Sequence, residues 1–376
     1  MCVIKDIQNW LLNNGKLAIF CAGQNGYTFC KILQLLDIPI DCVVDNNSEK
    51  WGQRVFGDVV CCSPTVLSGR EDYLTYICIA PQYYNEIFKQ AKQFNVLHIE
   101  NLYELVKDIV KNYRTIYLKL ISELPYGKCL EFFYDSKCCD VIEEKVYDKS
   151  VNARIAVYTS VFGAYDGLYE PQNFAENVDY YFVSEQEPIG LKKHKWLDAK
   201  SFLPKGIDNP VDKNRYVKMH PHLLFPQYKY SVYVDGNVEI LQDISVFVNK
   251  SKTGISVFSH PYRDDLFIEA LAIVNAGRSK GEAVQEQMEK YISDGFPRNY
   301  GLAEMRIIAR EHNNAICIKV MEAWWKEFTA TKTKRDQLSF MYVMWKNGLG
   351  LEDLFLLGRD MRKSDYIKIH SHENER

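Results

Sequence analysis

The stretch YSVYVDGNVEI, residues 230 to 240, ends an apolar run in the acidic turn Asp235-Gly236-Asn237. Arg215 and Lys218 put two cations on the helical segment ahead of it, and His260 closes the next apolar run, TGISVFSH. These residue types together suit a diphosphate. Guanidinium and ammonium groups neutralise phosphate oxygens. A carboxylate, an amide oxygen and an imidazole (Asp235, Asn237 and His260) are donors that a manganese or magnesium ion would accept while keeping water in its other positions. Asp-Gly between alternating apolar residues is also a strong signal for a β-hairpin turn, which needs no ligand. The residues alone leave both readings open.

The elements that must carry these groups fall into two halves. Residues 16 to about 100 alternate short apolar runs with helical patterns (KLAIFCAG, NGYTFCKILQLL, IDCVVDNN, YICIA, QYYNEIFKQAKQF), which predicts a parallel α/β arrangement. The first run ends in Gly23-Gln24-Asn25-Gly26 and the second in Asp45, a shortened form of the dinucleotide-binding fingerprint. Gly23, Gly26 and Asp45 are therefore nucleotide-binding candidates; the alternative is a tight turn that binds nothing. Residues 101 to 123 have apolar positions at helical spacing and predict one long connecting helix. Periodicity fades between about 126 and 152, the expected linker. From residue 153 strands and helices mix, with helices increasing towards the end.

A chain of 376 residues is longer than one core usually serves, so two domains are expected, 1–125 and 153–365. A net charge of −3 offers no general attraction to nucleic acid. Ten of the eleven cysteines precede residue 140, and none forms a CxxC pair, so reduced thiols are expected rather than a disulfide scaffold. No apolar run approaches the roughly 20 residues that span a bilayer, and the N-terminus lacks a signal peptide's apolar centre. The expected location is the cytoplasm or the inner face of a membrane, with a homodimer as the default assembly.

The second half resembles a glycosyltransferase-like family of GT-A type that includes plant mucilage-biosynthesis and ceramidase-like proteins together with bacterial relatives. The resemblance is carried by YTSVFGAYD (158 to 166), YYFVSE (180 to 185), RYVKMHPH (215 to 222), YVDGN (233 to 237), HPYRD (260 to 264), EQMEKYISDGFP (286 to 297), GLAEMRIIAREHN (301 to 313) and WWKEFTATKTKRDQLSF (324 to 340). The first 150 residues lie outside it and look like the Rossmann-like modules attached to bacterial surface-polysaccharide enzymes.

The resemblance implies a Rossmann-like parallel sheet followed by a GT-A-like mixed α/β domain. It implies that Thr159, Phe162, Asp166, Arg215, Lys218, Asp235, Arg335 and Gln337 contact a nucleotide-sugar donor, with YVDGN in the place of a metal-binding DxD motif. Asn237 departs from that motif and weakens the case for a divalent cation. Asp336 and Glu304 are the implied catalytic or sugar-binding carboxylates, the acceptor is a glycan or glycolipid, and a capsule-like polysaccharide is the expected product. Two other readings remain: a hydrolase of a lipid amide, and a nucleotide sensor whose second domain has lost catalysis. No G-x-S-x-G or HExxH motif supports the hydrolase.

Overall fold

The computed structural model describes residues 3–78, 81–94, 98–100, 102–124, 133, 153–163, 167, 169–173 and 175–371. The chain is α/β and forms two compact units: Met1–Ser136 with Phe267–Arg298, and Lys137–Leu266 with Asn299–Arg376. The expected linker, 126–152, lies outside the described residues apart from Phe133.

In the first unit the strands are β1 (Lys16–Phe20), β2 (Cys42–Val44), β3 (Arg54–Phe56), β4 (Val59–Cys62), β5 (Tyr73–Ile77) and β6 (His98–Glu100), in the order β3-β4-β2-β1-β5-β6. All neighbours are parallel except β3 with β4. The helices are α1 (Val3–Leu12), α2 (Gln24–Leu35), α3 (Pro81–Gln93), α4 (Leu102–Asn112) and α5 (Arg114–Glu123). The single connecting helix expected over 101 to 123 is thus two helices, because Tyr113 leaves helical geometry at φ −127° and ψ 64°.

Two further helices return to this unit, α7 (Leu266–Asn275, numbered after α6 below) and α8 (Gly281–Ser293). The sequence reading had placed them in the second domain. Their place follows from contacts with α5: the Tyr117 hydroxyl donates to the Phe267 carbonyl at 2.9 Å, and a Cβ on Gly281 would lie 2.7 Å from the Ile121 carbonyl oxygen. A fragment starting near residue 150 keeps α7 and α8 but loses the α5 surface they cover. It should aggregate or lose near-ultraviolet circular dichroism; a monodisperse product with a cooperative thermal transition would contradict this assignment.

The second unit has a mixed sheet in the order β14-β12-β13-β10-β7-β8-β9. Its strands are β7 (Ile155–Ser160), β8 (Val178–Ser184), β9 (Lys195–Asp198), β10 (Tyr230–Val234), β12 (Ile255–Ser259), β13 (Ala303–Arg310) and β14 (Phe355–Leu356). Only β13 runs against its neighbours. A separate antiparallel pair joins β11 (Val238–Ile240) to β15 (Ile367–Ile369). One face of the sheet packs Ile155, Val157, Val232, Val234, Phe247 and Ile307 into a core. The unit's remaining principal helices are α6 (Pro210–Met219), α9 (Ala315–Ala330) and α10 (Phe340–Lys346). Among the described residues no helix is long and apolar enough to cross a membrane.

Candidate active site

The hairpin reading of Asp235-Gly236-Asn237 fails. β10 pairs with β13 and β7, whereas β11 pairs with β15, so the chain leaves one sheet and enters another at this turn. The turn closes with the Val238 N–H donating to the Asp235 carbonyl at 3.0 Å, while the Asp235 N–H continues the ladder to the Arg306 carbonyl at 2.9 Å. Strand alternation sends Val232 and Val234 into the core and puts Tyr233 and Asp235 on the opposite face, towards α6.

There the charges converge. Lys218, on the last turn of α6, is 1% exposed. Its Nζ lies 2.7 Å from Asp336 Oδ2 and 3.7 Å from Asp235 Oδ1. Arg215, one helical turn earlier, brings Nε to 3.0 Å from the same Asp336 oxygen. The ammonium also sits 5.1 Å from the Tyr233 ring centroid. Burial opposes charge on Asp336, but Arg215 and Lys218 outweigh it, with a further contribution from Arg335, and hold the carboxyl well below the usual carboxylate range. Asp336 Oδ1 accepts no hydrogen bond among the described residues. One oxygen is anchored by both cations.

Three supports keep this cluster in place. Arg310, which sequence pattern does not single out, is fully buried on β13 and donates from Nη1 to the Lys218 carbonyl at 2.7 Å and from Nη2 to the Tyr158 hydroxyl at 2.6 Å. Trp324 is fully buried, and its indole N–H donates to the Asp336 carbonyl and to Ser339 Oγ, each at 3.1 Å. Gln337 donates from Nε2 to the Ala303 carbonyl at 2.5 Å, fastening the Asp336 turn to the start of β13. Gln337 is therefore a strap to the backbone through its amide nitrogen.

Thr159 and Gly236 line a small cavity at the ends of β7 and β10, together with Tyr169 and His194. Thr159 Oγ1 is buried there without a hydrogen-bond partner among the described residues. Phe162 is buried, and Asp166 lies outside the described residues. Glu304 and Arg306 form an ion pair at 3.5 Å on β13.

Of the implied metal ligands, His260 has both ring nitrogens engaged by the protein, and Asn237 holds its turn through its amide nitrogen and its backbone carbonyl. Asn237 Nδ2 donates to the His370 carbonyl at 2.8 Å and the Asn237 carbonyl accepts the His370 N–H at 2.8 Å, pinning the turn to the strand β15. His260 Nδ1 accepts the backbone N–H groups of Tyr262 and Arg263 at 3.3 and 3.2 Å, and Nε2 lies 3.1 Å from Arg263 Nη2. The His260 N–H bonds to the Leu302 carbonyl just before β13, and the Asp235 N–H bonds to the Arg306 carbonyl within it. Asn237 Oδ1 is buried without a hydrogen-bond partner among the described residues, and Asp235 has the Lys218 cation beside it. No group of three His, Cys, Asp or Glu side chains that could hold a metal ion occurs among the described residues.

In the first unit, Gly26 fits only as glycine, since a Cβ would lie 1.9 Å from the Cys21 carbonyl oxygen; nothing lies within 4 Å of one on Gly23. Asp45 is spent on the protein: it accepts from the N–H groups of Ala22 and Asn47 at 2.7 and 2.8 Å and from Lys50 Nζ at 3.0 Å. Its carboxylate braces the glycine turn, so the ribose-binding role read from the fingerprint is replaced by a structural one.

His312, fully buried just after β13, donates from Nε2 to the Phe225 carbonyl at 3.1 Å. Burial, reinforced by Arg310, pushes its pKa from 6.5 down to about 4. Between those values the unfolded chain binds the proton more readily. This contribution to stability is therefore full above about 6.5 and is lost as pH falls towards about 4. The thermal midpoint should drop across that window, and drop less in His312→Gln; equal pH dependence in both proteins would contradict the assignment.

Residues 205–372 match the family model described as TOD1/MUCI70, glycosyltransferase-like domain. A curated relative, "Probable hexosyltransferase MUCI70" of Arabidopsis thaliana, is 25% identical over 271 residues, which is 63% of this chain and 45% of that protein. The chain thus spans less than half the length of this relative. Among solved structures, the apo WbbM bifunctional glycosyltransferase is 14% identical, with a TM-score of 0.33, covering 56% of this chain and 40% of that one. The apo form of mouse xyloside xylosyltransferase 1 is 11% identical, with a TM-score of 0.32, covering 55% and 84%. Neither superposition is close enough to carry an argument. The resemblance read from the motifs, to a glycosyltransferase-like family that includes a mucilage protein, is borne out by the family model and the curated relative.

Proposed function

We propose that the second unit is a glycosyltransferase that moves a sugar from a nucleotide-sugar donor to a hydroxyl of a glycan or glycolipid acceptor. The observation that carries this reading is the pair of buried Lys218 and half-buried Arg215, held by Asp336 and Asp235 at the strand ends inside the segment that matches the family. Bond cleavage leaves negative charge on the departing diphosphate. Two cations already fixed in place stabilise that charge without having to reorganise. Asp336, kept ionised, is too weak a base to take a hydroxyl proton at neutral pH. Its suited task is to hold a sugar hydroxyl or to stabilise positive charge developing at the transferred carbon. A surface polysaccharide as final product belongs to this proposal and rests on the resemblance of the first 150 residues.

Because the cations stand where a metal would neutralise phosphate, donor binding should not require one. A thermal-shift panel of nucleoside diphosphates and nucleotide sugars, with manganese and with a chelator, tests both points, since a ligand that binds the native state raises the midpoint. Shifts of similar size in both conditions are expected. Absence of any shift would overturn the transferase reading, and a shift seen only with manganese would overturn the metal-free arrangement.

A further inference from the structure

A second cavity in the same unit, of about 280 Å³, shares no lining residue with the charge cluster, and the proposed transfer does not use it. Its lining includes His260, Arg263, Asp264, Leu302 and Arg359. The walls are fixed by backbone pairs: the His260 N–H to the Leu302 carbonyl at 2.7 Å, Gly301 N–H to the Asp264 carbonyl at 3.0 Å, and Ser259 N–H to the Gly358 carbonyl at 2.9 Å. Leu302 immediately precedes Ala303, whose carbonyl receives Gln337, so this wall and the Asp336 turn are fastened to the same strand.

The chemistry of the lining selects a ligand. Arg263 is 6% exposed and sits against His260. Arg359 forms no ion pair or hydrogen bond among the described residues, and Asp264 Oδ1 is buried without a hydrogen-bond partner among them. The Arg359 guanidinium is thus open to an acid, and the Asp264 carboxylate is an acceptor for hydroxyl protons. Leucines offer an apolar wall for the C–H face of a ring. No Phe, Tyr or Trp side chain lines the cavity. The volume is at the lower end of the roughly 300–1,000 Å³ of small-molecule sites, enough for one sugar ring and too little for an extended chain.

We propose that this cavity binds one sugar residue bearing an anionic group, the acceptor end of the glycan, with Arg359 on the acid and Asp264 on a hydroxyl. The acceptor role rests on the transferase reading; the anionic-sugar site does not. A carboxylate and a phosphate would be recognised by the same chemistry.

The test is titration of the full chain, followed by nuclear magnetic resonance, with glucuronate, glucose 6-phosphate and glucose. Wild type, Arg359→Ala and Asp264→Asn are compared, and nucleoside diphosphate affinity is measured in parallel. An acidic sugar should bind at least tenfold tighter than glucose. Arg359→Ala should erase most of that preference and leave nucleoside diphosphate affinity and thermal midpoint unchanged, whereas Asp264→Asn should weaken all the sugars. Preference for glucuronate over glucose 6-phosphate, or the reverse, identifies the acid. Equal binding of acidic and neutral sugars, or a preference that survives Arg359→Ala, overturns the site. Acid-selective sugar binding by a protein that binds no nucleoside diphosphate would sink the transferase reading and leave this site standing.

Discussion

Lys218→Met should lower stability by roughly 3 kcal/mol and weaken nucleoside diphosphate binding by about 10- to 100-fold. The first figure is the low end of the cost of removing one partner from a buried ion pair, because Arg215 stays to share Asp336. The second follows from losing a charge-assisted hydrogen bond to phosphate, worth about 1.5–3 kcal/mol. Pairing the change with Asp336→Leu removes the orphaned carboxylate as well, and should restore most of the stability without restoring binding. Denaturant midpoints and calorimetric titration separate the two effects. An unchanged midpoint in Lys218→Met would show that the pair is not buried as described, and wild-type nucleotide affinity would remove Lys218 from the site.

Asp336→Asn should cost turnover far more than donor affinity. Asparagine keeps the shape of the side chain but removes the charge that faces the sugar, and loss of one preorganised electrostatic partner commonly costs about 10²–10³ in turnover. Donor affinity should stay within a few fold of wild type or tighten, because Asp336 no longer competes with the diphosphate for Arg215 and Lys218. Turnover close to wild type would remove Asp336 from the catalytic account.

Much of this site was legible in the chain. YSVYV alternates as a strand does, and the Arg215 and Lys218 spacing puts both cations on one face of a helix. The joining of Asp336 to that face across 118 positions of sequence came only from the family resemblance, since no local pattern records it. Arg310 was not picked out as a support for a physical reason. AEMRIIAR alternates imperfectly, and an arginine in such a run reads as surface until the strand is seen at the sheet's centre with the side chain fully buried. Whether His260 and Asn237 can serve as ligands is not legible in the sequence, because ligand chemistry is a property of the side chain whereas availability depends on neighbours 2 to 133 residues away. The return of α7 to the first unit left a trace: LFIEALAIVN is apolar almost all round, as a helix covered on several sides must be, although sequence does not say by what.

The central claim is that the face bearing Asp235, Lys218, Arg215 and Asp336 receives a diphosphate. The most direct measurement is an experimental structure of the full chain soaked or grown with a nucleoside diphosphate. The account predicts diphosphate oxygens within hydrogen-bond distance of Arg215 or Lys218, beside Gly236. A nucleotide found instead at Gly23 in the first unit, with Lys218 and Asp336 still paired and untouched, would contradict it.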